Sequence, residues 1–571
     1  MKKKILPVFI VILLILIIGG VYAARIIQEK YAYSKERADM AAWLGAESEE
    51  EIPVILNRER TDVRARRYDG VDYLRYEDVC ALLTKRLYYG QADGILCYVL
   101  PQAIMRMEIG ADSWQADDGS SGTEEVPISR MEGETLYIAL PFLTNLVDFE
   151  WASYEEPAYV NLRTAYTEET VATITANTQL RLRGGIKSEI MEDLAAGEQV
   201  TILEEMETWT KVATGRGFTG YVENKRLKDL ADIVPQAPRT AMATDEEYAG
   251  IHRDYRINMG FHAVFGVAGN DTLESYVSQT RGMNVIAPTW FMIAGEDGSI
   301  RDVAASDYAA RAHAMGLEVW GVVDNFNGVA AEVSTEAVLS HEESRRNLIS
   351  ALIARAQELG IDGINVDFEQ IQSSYASSYV EFLRELSVAC RRNGLVCSVD
   401  DPVPFDFNSY YDLREQGIML DYVVIMGYDE HYAGSTEAGS VASIGYVENG
   451  VARATREAPP SKVVLALPFY TRVWRTAKDG SLSSEALPMT VAQEFIRNHG
   501  LTEKWDEETC QNYYEYTDKK ETLVQIWNED AMSIETKLSV SSGYGIGGYA
   551  AWELGYETPD IWDVILPYVK G

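Results

Sequence analysis

The chain has 571 residues, 51 basic against 88 acidic side chains, a net charge of −37 and a pI near 4.6. At ~100–200 residues per domain the length allows about three domains, and 47% apolar with 10% aromatic residues excludes a disordered chain. The acidity speaks against nucleic acid as a partner and against lying on an anionic bilayer face, because both need a basic surface; a neutral ligand such as a sugar stays open.

Five cysteines, Cys80, Cys97, Cys390, Cys397 and Cys510, contain no CxxC, and there are six histidines without an HExxH. This excludes a disulfide framework and a Cys-rich zinc site, and it implies no metal and no organic cofactor. Cys80 and Cys97 are a candidate pair in an oxidising compartment, with buried free thiols as the alternative.

Lys2, Lys3 and Lys4 precede an apolar run over 5–24. At 1.5 Å per residue, ~20 residues span about 30 Å of hydrocarbon. The lysines should stay in the cytoplasm and leave everything after Arg25 outside. The run is longer than the usual ~7–15-residue signal core, so a membrane anchor is expected within 1–28. A signal peptide cleaved near Ala23, after Val21-Tyr22, is the rival. No cysteine follows to take a lipid.

Residues 50–165 offer short apolar or alternating runs and an acidic Gly/Ser loop near 117–123, expected to form an α+β spacer module. In 170–230 several short strands crowd together, as in a small β-barrel. Pro235 and Pro238 mark a linker over 231–252. From 253 to 571 eight strand-like runs alternate with amphipathic stretches such as 344–359. They begin at Ala263-Val264-Phe265-Gly266 and end at Gly547-Gly548-Tyr549-Ala550. Eight such repeats predict a (β/α)₈ TIM barrel with its site at the C-terminal strand ends.

The most informative octet is Asp362-Gly363-Ile364-Asn365-Val366-Asp367-Phe368-Glu369. Side chains alternate on a strand, so Asn365, Asp367 and Glu369 share one face, toward the barrel interior. Ile364, Val366 and Phe368 share the other. Two carboxylates ~6–7 Å apart along one strand repel each other. With partial burial, that keeps one of them protonated near neutral pH, as protonation of a glycosidic oxygen requires.

The octet resembles the Asp-Gly-x-Asp-x-Asp-x-Glu signature of glycoside hydrolase family 18. The resemblance implies that Glu369 is the general acid, that Asp367 orients the substrate's 2-acetamido group and that Asp362 supports the strand. It also implies a retaining reaction in which the acetamido oxygen is the nucleophile. The family's middle aspartate is Asn365 here, as in its cell-wall and spore-cortex branch. Loss of that charge is expected to leave Asp367 more readily ionised and to shift the pH optimum. Met426-Gly427-Tyr428-Asp429 matches the family's Met-x-Tyr-Asp motif. Tyr428 would then bond the acetamido carbonyl, with Met426 and Asp429 shaping the pocket and Trp552 flooring it. Trp290, Tyr428, Tyr470 and Trp552 all fall near strand C-termini, where aromatic faces stack on sugars.

Two further resemblances complete the chain. Leu180-Arg181-Leu182-Arg183-Gly184-Gly185, Gly197-Glu198-Gln199-Val200, Trp209-Thr210-Lys211-Val212 and Gly220-Tyr221-Val222 resemble the bacterial Src-homology-3-like (SH3-like) domain, a binder of cell-wall peptide or glycan. Ala139-Leu140-Pro141-Phe142-Leu143 resembles the copper-amine-oxidase N-terminal module, here without ligating histidines. The implied function is an extracytoplasmic glycosidase on a β-1,4-linked N-acetylglucosamine polymer, with peptidoglycan as substrate and chitin as the alternative. A transglycosylase would use the same residues. A wall-binding protein without turnover is the alternative of another class.

Overall fold

The computed structural model describes residues 5–570 apart from 47, 49 and 249; Lys2, Lys3 and Lys4 lie outside the described residues. The chain divides into two compact units.

The first unit comprises 1–85, 109–113 and 123–242. Its first element is the helix Ile5–Tyr31, exposed from Val8 onward and long and apolar enough to cross a membrane. One seven-stranded sheet carries Ile52–Leu56 between a parallel neighbour, Ala158–Arg163, and an antiparallel one, Glu59–Tyr68. A second, antiparallel seven-stranded sheet spans Glu169–Ile174 to Leu227–Ile233 and closes over Leu180, Val200, Val212, Phe218 and Val222. Trp209 is half-buried on a strand of this sheet.

The second unit comprises 86–108, 114–122 and 243–571. The spacer expected over 50–165 is therefore divided: the strands Leu87–Gly90, Ile95–Val99 and Ile104–Glu108 belong with the C-terminal region. Their apolar face, Val99 and Ile104, packs on Val388 of the helix Ala376–Asn393. Tyr88 Oη lies 2.8 Å from Ser378 Oγ, and Arg106 bonds Glu342 at 2.7 Å. None of the five cysteines forms a disulfide, so Cys80 and Cys97 do not pair with each other.

The rest of this unit is a closed parallel barrel. Its strands are β1 (Ile257–His262), β2 (Val285–Ile293), β3 (Glu318–Asp324), β4 (Gly363–Asp367), β5 (Val396–Pro402), β6 (Tyr422–Met426), β7 (Val463–Pro468) and β8 (Gly548–Trp552). Each pairs with the next, and β8 returns to β1 with Met259 opposite Ala550. One expected strand sits elsewhere, and another, expected over Val396-Cys397-Ser398-Val399, is longer. The first is Ile257–His262 rather than 263–266, where the chain has already entered the rim loop and leaves Phe265 86% exposed. The fifth runs on past Val399 to Pro402. The floor of the barrel is apolar, filled by Met259, Phe261, Trp320, Tyr422 and Val464. Helices cover the outside; Glu342–Leu359 is one and stops at Gly360, whose φ of 66° only glycine adopts readily. Between β7 and β8 a five-stranded sheet is inserted, from Tyr470–Thr476 to Leu523–Asn528.

Candidate active site

Above the apolar floor the barrel interior turns acidic. On β4, Asn365 and Asp367 point inward while Ile364, Val366 and Phe368 pack into the barrel–helix layer, as the alternation requires. Glu369 follows where the strand has ended. Asn325, just past β3, fixes its backbone: Glu369 N–H donates to Asn325 Oδ1 at 2.9 Å, and Asn325 Nδ2 donates to Glu369 O at 3.0 Å. The next residue, Gln370, takes a left-handed φ of 56° and turns the chain away. Glu369 is thereby held at the mouth by its main chain. Burial, with Asp429 and Asp324 nearby, raises its carboxyl pKa above the ordinary carboxylate range.

Asp367 lies beneath it, 6% exposed, with Oδ1 buried and unpartnered. Its carboxyl is pushed well up by burial first, then by Asp400, Glu369 and Asp324. The expectation that Asn365 would ease ionisation of Asp367 is therefore corrected, and the reason is Asp400 on β5. Asn365 Nδ2 donates to Asp400 Oδ1 at 2.8 Å and to Ser398 Oγ at 3.0 Å. The carboxyl missing from position 365 stands one strand over, and Asp400 itself is raised to about 8 by burial.

Asp362 stands at the opposite end of β4. Its Oδ2 accepts from the Val319 N–H and lies 2.8 Å from His313 Nε2, tying the start of β4 to β3 and leaving it out of the site. Tyr428, Met426 and Asp429 end β6, where Asp429 adopts a left-handed φ of 57°. Tyr470 donates its hydroxyl to Asp429 Oδ1 at 2.6 Å and meets Tyr428 edge-on at 6.2 Å. At 6% exposure Tyr470 offers no open face for a sugar; it positions Asp429 instead. Trp552 ends β8, partly exposed and 5.5 Å from Phe261. Trp290 is the clearest departure. It is fully buried in the barrel–helix layer against Tyr308, with its indole N–H bonded to Asn270 Oδ1 at 2.8 Å. The β2–β3 register shifts between Thr289 and Phe291, and Trp290 does not reach the mouth.

The residues missed in sequence are Asp324, Asn325 and Asp400, all at strand ends. Asp324 Oδ1 accepts from the N–H of Asn327 at 2.8 Å and shapes the loop after β3. Phe265 and Phe407, 86% and 77% exposed, are further aromatics on the loops after β1 and β5.

Residues 320–557 match the family model described as "Glycosyl hydrolases family 18", and 169–228 match the bacterial SH3 domain. The barrel is a family 18 glycosyl hydrolase domain. This chain is 26% identical over 312 residues to "Uncharacterized glycosylase YvbX" of Bacillus subtilis (strain 168), covering 52% of this chain and 89% of that protein. It is 24% identical over 304 residues to the "Cortical fragment-lytic enzyme" of Bacillus anthracis, covering 51% of this chain and 70% of the relative. A solved C-terminal domain from Desulfitobacterium hafniense DCB-2 superimposes with a TM-score of 0.50 at 20% identity, over 55% of this chain and 99% of that one, and shows the fold. As a family 18 domain the barrel is a glycoside hydrolase, and its acidic interior lies at the end where TIM-barrel enzymes carry their chemistry.

Proposed function

We propose that this protein cleaves the N-acetylglucosamine-containing glycan of peptidoglycan by a retaining, substrate-assisted reaction. The observation that carries the reading is Glu369, main-chain-clamped at the mouth with a carboxyl that holds its proton above the ordinary range. A general acid needs its proton at working pH. Glu369 protonates the leaving glycosidic oxygen, and the acetamido oxygen of the same sugar attacks the anomeric carbon. Asp367 accepts the acetamido N–H as positive charge develops there, and Tyr428 donates to the acetamido oxygen. Water then opens the cyclic intermediate on the same face with Glu369 as base, so configuration is retained. Trp552 supports the sugar ring from below, and Met426 and Asp429 shape the pocket wall. No step routes through a cofactor.

Peptidoglycan is favoured over chitin by the cortical fragment-lytic relative and by the SH3 domain on the same chain. The helix Ile5–Tyr31 serves as the membrane anchor of an extracytoplasmic enzyme, and the sheet around Ile52–Leu56 belongs to a spacer that resembles the copper-amine-oxidase N-terminal module. The test is incubation of the full chain in detergent, beside Glu369→Gln, with purified peptidoglycan and separately with chitin oligomers. New reducing-end N-acetylglucosamine from the unmodified protein alone, read by mass spectrometry, supports the reading and names the polymer. Silence from both proteins with wall binding intact replaces it with a binding protein.

A further inference from the structure

Where the helix Ile5–Tyr31 ends, the charge pattern is opposite to that of the chain. Residues 180–188, Leu180-Arg181-Leu182-Arg183-Gly184-Gly185-Ile186-Lys187-Ser188, hold three cations and no acid in a protein with 88 acidic residues. This loop of the SH3 domain is bonded to the end of the helix and to the chain that leaves it. Lys187 Nζ donates to Glu29 O and, at 2.8 Å, to Ala32 O. The Ser34 N–H donates to Ile186 O at 2.7 Å, and buried Arg181 donates to Ser34 O at 3.2 Å. Four cations face solvent there: Lys30, Lys35, Arg183 and Lys187. Among the described residues none of the four pairs with an acid, whereas Arg25 is matched by Glu29 and Lys225 by Glu223. Glu36 and Glu189 adjoin them in sequence, two acids against four free cations.

Where the bilayer ends decides what these cations meet. With Ile5–Tyr31 as the anchor, Arg25 is the first charged residue past the hydrocarbon. At 1.5 Å per residue, Glu29 lies about 6 Å and Tyr31 about 9 Å beyond it. A headgroup layer is ~5–7 Å thick on each side of the hydrocarbon, so the loop that grips Glu29 stands at the level of the lipid phosphates. Exposed Tyr31 and Tyr33 are of the residue type that collects at that level. We propose that the Arg181–Ser188 loop of the SH3 domain, with Lys30 and Lys35, is a binding surface for anionic phospholipid headgroups that seats the domain on the bilayer beside its anchor. Guanidinium and ammonium groups bind phosphate oxygens by charge-assisted hydrogen bonds, and a cluster of them next to a membrane span draws anionic lipid. The acidity of the rest of the chain adds to the orientation, because the same surface repels it. The inference rests on the reading of the helix as an anchor.

The experiment places a nitroxide spin label at either end of the domain in the full-length protein. Gly185→Cys lies in the loop. Gly215→Cys lies in the turn after the strand Trp209–Ala213, whose Trp209 packs near Gly184; at both labelled glycines an added side chain meets nothing within 4 Å. Five strand residues at ~3.3 Å each put the two labels on the order of 20 Å apart. The parent chain treated with the same reagent supplies the background from its own thiols. The proteins are reconstituted in phosphatidylcholine vesicles, with and without phosphatidylglycerol, that carry a nickel-chelating lipid whose metal broadens a nitroxide at headgroup level. The label at 185 should be strongly broadened in phosphatidylglycerol vesicles and the label at 215 should not. Adding Lys35→Glu/Arg183→Glu, whose parent side chains make no bond within the described fold, should leave the thermal melt unchanged. It should cut the broadening at 185 about fivefold or more in phosphatidylglycerol vesicles and far less in phosphatidylcholine alone. Equal broadening at the two positions overturns the inference, as does a signal at 185 that the charge reversal leaves unmoved. An equal drop in both vesicle types overturns it too, because lost packing needs no anionic lipid. Flotation with the vesicles at high salt, where surface attraction is screened, reads the anchor separately. Loss of flotation there, with the 185 signal present at low salt, counts against the anchor reading alone.

Discussion

Two buried acidic clusters in the same unit differ in their partners, one braced by guanidinium groups and the other not. Under the Leu87–Val99 strands, Glu381, Glu385 and Glu415 are buried with guanidinium partners: Arg345 bonds Glu385 at 3.1 Å, and Arg384 bonds Glu381 at 3.0 Å and Glu415 at 2.8 Å, with Arg86 on Glu415 at 3.0 Å. Burial alone would raise Glu415, yet Arg384 and Arg86 outweigh it and hold the carboxyl below its usual range, whereas Glu381, buried beside Glu385, stays raised to about 7 despite Arg384. In the barrel mouth no cation among the described residues bears on the acids Asp367, Glu369 and Asp400, and all three are raised. The contrast teaches what each cluster is for. A compensated carboxylate is a fixed strut, whereas an uncompensated one keeps a proton it can deliver.

The contrast breaks most sharply at Glu369. Glu369→Gln keeps the shape and the Asn325 clamp, removes the transferable proton, and should lower kcat by on the order of 10²–10⁴ with the melting temperature unchanged. The mirror experiment is Arg384→Met. It strands Glu381, leaves Glu415 with Arg86 alone, and should cost ~3–5 kcal/mol of stability by denaturant melt, with kcat intact in the fraction that remains folded. An Arg384→Met enzyme that melts normally would show that the outer cluster is not a strut.

A smaller effect follows from linkage. Asp400 titrates near 8 in the folded protein against about 3.9 unfolded. Its folded value is the higher one, so the stability this group contributes is present below pH 4 and is lost as pH rises toward 8. Glu553, raised by burial to about 7, and Asp421, to about 6, act in the same direction. The melting temperature should therefore fall between pH 5 and pH 8, and Asp400→Asn should flatten the fall without abolishing it. An equally steep fall in the variant would deny Asp400 its buried proton.

The β4 octet made half of this site legible in sequence, because alternation on one strand places Asn365, Asp367 and Glu369 without knowledge of any neighbour. The eight repeats likewise indicated the barrel. What escaped lies across strands. Asp400 faces Asn365 because β4 and β5 align Asn365 with Ser398, a register no local pattern reveals, and because β5 continues three residues past its apolar run. Asn325 reaches Glu369 from the end of β3 for the same reason. The division of 50–165 was hidden too, since Val99 and Ile104 read equally well as the core of a local module or as a face for Val388.

The aromatic residues give the finest test, because Trp290 and Trp552 looked alike in sequence and differ in place. Trp552 ends β8 with part of its ring open, so Trp552→Ala should raise KM for chitin oligomers about tenfold, equivalent to ~1.4 kcal/mol, with a near-normal melt. Trp290 has no exposed surface, and its indole N–H satisfies the buried Asn270 side chain, whose amide in turn donates to Val267 O and Val303 O. Trp290→Phe keeps most of the apolar volume but leaves Asn270 Oδ1 without its donor. The expected result is a loss of ~1–3 kcal/mol in stability with KM unchanged. A KM shift in Trp290→Phe as large as that in Trp552→Ala would mean that the layer behind β2 is coupled to the sugar site, and burial would no longer separate the two tryptophans.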